Sequence, residues 1–262
     1  MIQPIMRRLL ILAPLLLLAF SSAFSQISTD AGLTPAQDRW IFRTQYRAMG
    51  MENSMMKMNT QMVPVVLGYG ITSGVSIMAR AMYKRQSFSN SEIVNSGVND
   101  FYLLSKFRLF RRNTATYSFG IAPFVASNIP MGSKEISNRT WNPEIGLNFS
   151  FRPHFFSVDL STRYIFSDVL EKVSTEHHNR YAIDLAFSGK IPINATSSQV
   201  ISPVVEFNHS SSNNLLFISP GASFLSSSFG LEALYQIPVH ESEQANQMNH
   251  TARWIVGLKY LF

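Results

Sequence analysis

One property limits this chain more than any other: beyond residue 39, apolar and polar side chains alternate with a period of two in stretch after stretch. In "WIFRTQYRAM" Trp40, Phe42, Tyr46 and Ala48 fall on one face, and Arg43, Gln45 and Arg47 on the other. Successive side chains of a β-strand point to opposite sides, so this reads as a strand with an aromatic face and a charged face. The pattern recurs. Val75, Ile77, Ala79, Ala81 and Tyr83 oppose Ser76, Arg80 and Lys84, and Phe101, Leu103, Phe107 and Leu109 oppose Tyr102, Lys106 and Arg108. Ile145, Leu147, Phe149 and Phe151 oppose Glu144, Asn148, Ser150 and Arg152. Phe156, Val158, Leu160 and Tyr164 oppose Ser157, Asp159, Ser161 and Arg163, and Tyr181, Ile183, Leu185 and Phe187 oppose Arg180, Asp184 and Ser188. Each stretch is about nine to twelve residues, the length a tilted strand needs to cross a bilayer.

A soluble sandwich or lipocalin-like barrel would turn its apolar face inward and cover its outside with charge. Here nearly every strand charge lies on one face, in a chain that is 46% hydrophobic, 12% aromatic and only 15% charged. No run of 18 apolar residues follows the N-terminal region, which excludes helical spans. The expected fold is therefore all-β: a transmembrane antiparallel β-barrel with lipid outside and water inside.

Turn signals set the topology. Short connections fall at 70–74, 111–114, 152–155, 191–198 and 225–228, and longer polar ones near 50–60, 87–99, 127–142, 168–179, 209–214 and 239–250. Short periplasmic turns alternating with long external loops are what transmembrane barrels show. Twelve strands are expected, at 40–50, 60–70, 75–86, 100–111, 115–127, 142–152, 156–167, 179–190, 199–208, 215–224, 229–238 and 251–262. Pro123, Pro203, Pro220 and Pro238 are expected to interrupt or end theirs. The last strand, "TARWIVGLKYLF", closes the barrel with Trp254, Val256, Leu258, Tyr260 and Phe262 outward, its terminal ring at the membrane interface.

The opening 25 residues read as a secretory signal: Arg7 and Arg8, an apolar run from Leu9 to Phe20, then Ala23-Phe24-Ser25 before Gln26. The predicted division is a signal at 1–25, an N-terminal segment at 26–39 lying in the periplasm or in the lumen, and an outer-membrane barrel at 40–262. Removing the signal lowers the net charge from +6 to +4, because Arg7 and Arg8 leave with it. That balance in an exported chain does not suggest nucleic acid. Cysteine is absent, so disulfides and thiol lipidation are excluded.

With lipid outside, the charged face lines a lumen. Candidate lining residues are Arg43, Arg47, Arg80, Lys84, Lys106, Arg108, Arg163, Glu144, Asp159, Asp184 and Glu232, joined by Arg152, Arg180, Arg253, Lys259 and Glu206. Opposite charges can pair across the lumen and hold the barrel in register, while the basic excess would bias passage toward anionic or polarisable solutes. Twelve strands make a narrow bore that side chains or segment 26–39 can largely fill, so a specific or gated channel is expected rather than an open pore.

"MGMENSMMKMNTQM" places Met49, Met51, Met55, Met56, Met58 and Met62 in a predicted external loop and its strand ends. Thioethers pack flexibly over a barrel mouth, meet apolar solutes, or ligate Cu(I) and Ag(I). The loop candidates are Met51, Met55, Met56 and Met58. No cofactor and no His/Asp/Glu metal site is expected, since the adjacent His177 and His178 would point apart. Outer-membrane phospholipases and acyltransferases need a Ser, a His and a third partner, yet no G-x-S-x-G elbow surrounds any serine here, so no enzyme is expected.

The run "QMVPVVLGYGITSGVSIMARAMY" (61–83) resembles the V-P-x-x-x-x-Y-G-x-T hairpin of the outer-membrane transporter family called the meta-pathway of phenol degradation family. "RNTATYSFGIAPFVASNIPMGS" (112–133) and "WNPEIGLNFSF" (141–151) fit its later hairpins. The resemblance implies a β-barrel channel, with aromatic hydrocarbon uptake in some members, and carries no catalytic residues. The sequence reading is thus a passive outer-membrane channel for small, apolar or aromatic solutes, with outer-membrane lipid and the barrel-assembly machinery as partners. The alternatives are soft-metal (copper or silver) handling, or a structural or adhesive barrel without flux.

Overall fold

The computed structural model describes residues 28–29, 31–53, 56–89, 92–137, 139–167, 179–193, 199–242 and 248–262. They form one closed antiparallel sheet of twelve staves. In chain order these are β1 (Trp40–Glu52), β2 (Lys57–Gly70), β3 (Val75–Phe88), β4 (Val94–Val98, Phe101–Phe107 and Phe110–Asn113, one stave broken twice), β5 (Tyr117–Ile129) and β6 (Pro143–Pro153). Then follow β7 (Phe156–Ile165), β8 (Arg180–Gly189, continued by Ile191–Pro192), β9 (Val200–Ser210), β10 (Leu215–Leu225), β11 (Phe229–His240) and β12 (Asn249–Leu261). Each stave pairs with its neighbours in sequence, and β12 pairs with β1 from Ile41↔Leu261 to Glu52↔Asn249. Closure leaves no sheet edge, the condition for a sheet to stand in lipid.

The alternation acts as expected. Outward positions carry Val63, Val65, Leu67, Ile77, Leu103, Val125, Ile145, Leu147, Ile183, Leu231 and Val256, all exposed. Ring pairs gather towards the two ends. Trp40 stacks on Tyr69 at 4.6 Å and Tyr260 on Phe262 at 5.5 Å near the short-turn rim, while Tyr235 meets Trp254 at 4.4 Å and Tyr164 meets Phe166 at 5.0 Å nearer the other. Two aromatic girdles flanking an aliphatic band match the two interfaces of a bilayer.

The structure corrects some boundaries. Residues 50–52 and 57–60, expected within the first external loop, are strand instead, because β1 and β2 extend in register up to Glu52↔Lys57. The outward residues of that extension on β2, Lys57 and Asn59, are polar, so no apolar face marked it as strand. The connection expected at 209–214 is likewise short, a single 3-10 turn at Ser212–Asn214. Pro123, Pro203 and Pro220 do not break their staves: Pro123 pairs with Leu147, and Pro203 and Pro220 sit in the β9–β10 ladder opposite Ala222 and Val205. Pro238 behaves as expected of an interrupting proline, since the β10–β11 register slips beside it, between Leu216↔His240 and Phe217↔Pro238.

Candidate functional site

The inner wall is polar and crowded. All of the predicted lining residues fall on its face. Glu232 of β11 is fully covered there: Arg43 donates to its Oε1 from Nε at 3.0 Å and Nη2 at 2.9 Å, and Gln45 Nε2 donates at 2.6 Å. Lys259 Nζ of β12 lies 2.9 Å from Oε2. Gly257 sits between Gln45 and Glu232 in the cross-strand row, and a β-carbon there would stand 2.7 Å from Glu232 Oε1. The missing side chain lets residues on β1 and β11 meet over β12. Arg152 grips Asp159 through two contacts of 3.1 Å, Ser150 Oγ also donates to Asp159, and Arg163 Nη2 bonds Asp184 at 3.0 Å. Tyr102 donates to Glu144 at 2.9 Å with Arg80 stacked on its ring at 4.3 Å. The pairs therefore run along the wall between strands close in the sheet rather than across the bore.

The described part of the N-terminal segment, 28–29 and 31–39, runs inside the barrel from the short-turn rim. Asp38 N donates to Gly70 O and Tyr69 Oη to Asp38, fixing its base beside the start of β1. Further in, Arg108 Nη2 donates to Thr34 Oγ1 at 3.2 Å, Lys106 Nζ to Ala31 O at 2.8 Å, and Gly32 N to Ser150 Oγ at 2.8 Å. Ser28 reaches Glu206 on β9 with its backbone N–H, at 3.0 and 3.1 Å to the two oxygens, and with its hydroxyl. Thr29, Ala31, Leu33 and Thr34 are all buried. Two glycines make room. A β-carbon at Gly120 would stand 2.7 Å from Leu33 Cδ2, and one at Gly70 would lie 2.1 Å from Ala36 O. Neither glycine announces this role in the sequence, because its partner is remote and unpatterned.

The strap divides the lumen chemically. Lys106, Arg108 and Glu206 face it or bond to it. Toward the long-loop end, Arg47 donates to Gln45 Oε1 at 2.6 and 3.0 Å, and Arg253 lies over the Phe217 ring at 4.0 Å. Arg47, Arg80, Lys84, Arg180 and Arg253 have no carboxylate ion-pair partner among the described residues.

The methionines are distributed differently from expectation. Met51 lies on β1 and Met58 on β2, directly opposite one another, and Met62 faces Arg47 two inward positions further down. Gln86 of the inner wall donates to Met58 Sδ at 3.3 Å, which places these thioethers in the lumen rather than in an external loop. Met56 lies just before β2, partly exposed, whereas Met55, residues 1–27 and His177-His178 lie outside the described residues.

No family model matches this chain, and no curated protein does. Solved structures match its barrel. The KdgM porin in complex with disordered oligogalacturonate is 12% identical with a TM-score of 0.48, covering 84% of this chain and 99% of that one. The NanC porin is 9% identical with a TM-score of 0.48, at 84% and 98% coverage. The transport unit of the autotransporter AIDA-I from Escherichia coli is 12% identical with a TM-score of 0.49, at 94% and 96%. At this identity the likeness concerns the fold alone.

Proposed function

We propose that this chain is an outer-membrane channel for passive entry of small anionic solutes, held closed at rest by its own N-terminal strap. The observation that carries the reading is the juxtaposition of strap and wall. Residues 28–29 and 31–36 occupy the rim-side lumen and engage Lys106, Arg108 and Glu206, while the outer half presents Arg47, Arg80, Lys84, Arg180 and Arg253, which have no carboxylate ion-pair partner among the described residues. An excess of cations in a narrow bore attracts anions and repels cations. The apolar outer face with its aromatic girdles supports residence in a bilayer, hence outer-membrane lipid and the assembly machinery as partners.

A second reading keeps the apolar or aromatic solutes implied by the resemblance to the phenol-degradation family. Its support is the inner face of β1 to β3, where Met51, Met58 and Met62 line the path beside Phe88. Liposome swelling separates the two with a small aromatic carboxylate and a neutral aromatic alcohol of equal size. Faster entry of the carboxylate, with anion selectivity in planar bilayers and larger conductance after deletion of residues 26–36, supports the first reading. Faster entry of the alcohol would install the second, and a folded barrel that conducts in neither form would leave only a structural role.

A further inference from the structure

Three neighbouring staves bring two thioethers and an imidazole side by side near the long-loop mouth. Met58 of β2 lies opposite Met51 of β1, and Met51 in turn lies opposite His250 of β12. The last pairing depends on an irregularity. Between Met49↔Arg253 and Met51↔His250 the register slips, so two steps on β1 match three on β12. A bulge of this kind re-aims a side chain. Without it His250 would share the outward parity of Trp254 and Val256. With it the ring packs edge-on against the buried Phe217 at 5.9 Å, inside the wall.

His250 is also held in a defined orientation. Its Nδ1 lies 2.6 Å from Glu241 Oε1, and its backbone N–H donates to Glu241 Oε2 at 2.8 Å. With Nδ1 engaged, Nε2 is the nitrogen left to ligate. A carboxylate behind the far nitrogen is the arrangement that fixes metal-binding histidines and raises their basicity. Directly opposite side chains on an antiparallel pair have Cβ atoms about 4.5–5.5 Å apart, so Met58 and His250 flank Met51, and exchange of the Gln86 hydrogen bond on Met58 Sδ for a metal lets the flexible thioethers converge on one ion.

We propose that Met51 Sδ, Met58 Sδ and His250 Nε2 form a binding site for a soft monovalent metal ion, Cu(I) or Ag(I), with Glu241 as its positioning residue. Two thioethers and one imidazole are a soft set that favours these ions over hard cations. Among the described residues no group of three His, Asp or Glu could hold a metal, so a harder divalent site does not compete. The carboxylate of Glu241 offsets part of the repulsion that the basic lumen exerts on a cation. This inference goes beyond the anion-channel reading and stands or falls separately from it.

Silver(I) tests the site without redox chemistry. The folded, detergent-solubilised protein should bind one Ag(I) by native mass spectrometry, with both sulfur and nitrogen scatterers in X-ray absorption. Met51→Leu with Met58→Leu keeps side-chain volume and should abolish that binding, while His250→Gln should remove the nitrogen shell. Glu241→Gln should weaken affinity by about tenfold, as loss of an orienting partner does. Heat-modifiable migration on gels confirms that each variant is folded. Unchanged silver binding in the folded double-leucine variant, a sulfur-only shell in the parent, or no binding by the parent would each overturn the proposal.

Discussion

Arg43 and Glu232 meet inside the barrel with Arg43 Nη2 2.9 Å from Glu232 Oε1, although the strand between them belongs to neither. The link spans the seam where the first and last staves close the sheet, and Lys259 on the intervening stave reaches the same carboxylate. Replacing Glu232 by Gln leaves two buried cations without their counter-charge. A loss of about 3–5 kcal/mol is expected for breaking such a pair. It should appear as a lower temperature for the folded-to-unfolded shift on gels, and an unchanged transition would show that the seam does not need its charge.

Gly120→Val aims at the strap without touching a charge. Its side chain would take the space of Leu33 Cδ2 and the Gly32 carbonyl, so the strap should lose its seat while the ladder of β5 persists. Single-channel recordings should then show longer open times than the parent, at an unchanged unfolding temperature. Parent-like gating would place the closure elsewhere.

Arg47→Glu with Arg80→Glu reverses two of the wall charges that lack a carboxylate ion-pair partner among the described residues. Reversal potentials across a salt gradient should move from anion toward cation preference. Preserved anion selectivity would mean that the permeating ions pass another part of the wall.

Phe262 exchanges backbone hydrogen bonds with Trp40, N–H to carbonyl in both directions at 2.7 and 3.1 Å. Its ring lies half exposed beside Tyr260 in the short-turn girdle. Phe262→Asp keeps the backbone bonds but sets a charge at the interface, and a reduced yield of folded protein in outer-membrane fractions is expected. Equal yield would separate closure of the barrel from its final aromatic side chain.

The strands were legible wherever a stave crosses the lipid, because only there does physics demand an apolar outer face. β2 shows the limit of that rule. Val63, Val65 and Leu67 advertise a strand, but Lys57 and Asn59 do not, so the first three residues of the stave, Met58 among them, read as loop, as did Met51 at the end of β1. The charged lining was legible from parity alone. Partner choice was not, since Glu232 joins residues on two other staves through a gap left by Gly257. The inward turn of His250 depends on a register slip, and period-two reasoning assigns it to the opposite face.

The strap is joined to β1 through Arg39, one residue before Trp40, so it behaves as a ligand that dilution cannot remove. A short tether holds such a group at an effective concentration of about millimolar or more, so even weak individual contacts keep the site occupied most of the time. Opening is then a unimolecular event, indifferent to protein concentration. A free peptide covering residues 26–36, added to a barrel lacking its own, would need about millimolar amounts to restore what the covalent chain supplies by attachment.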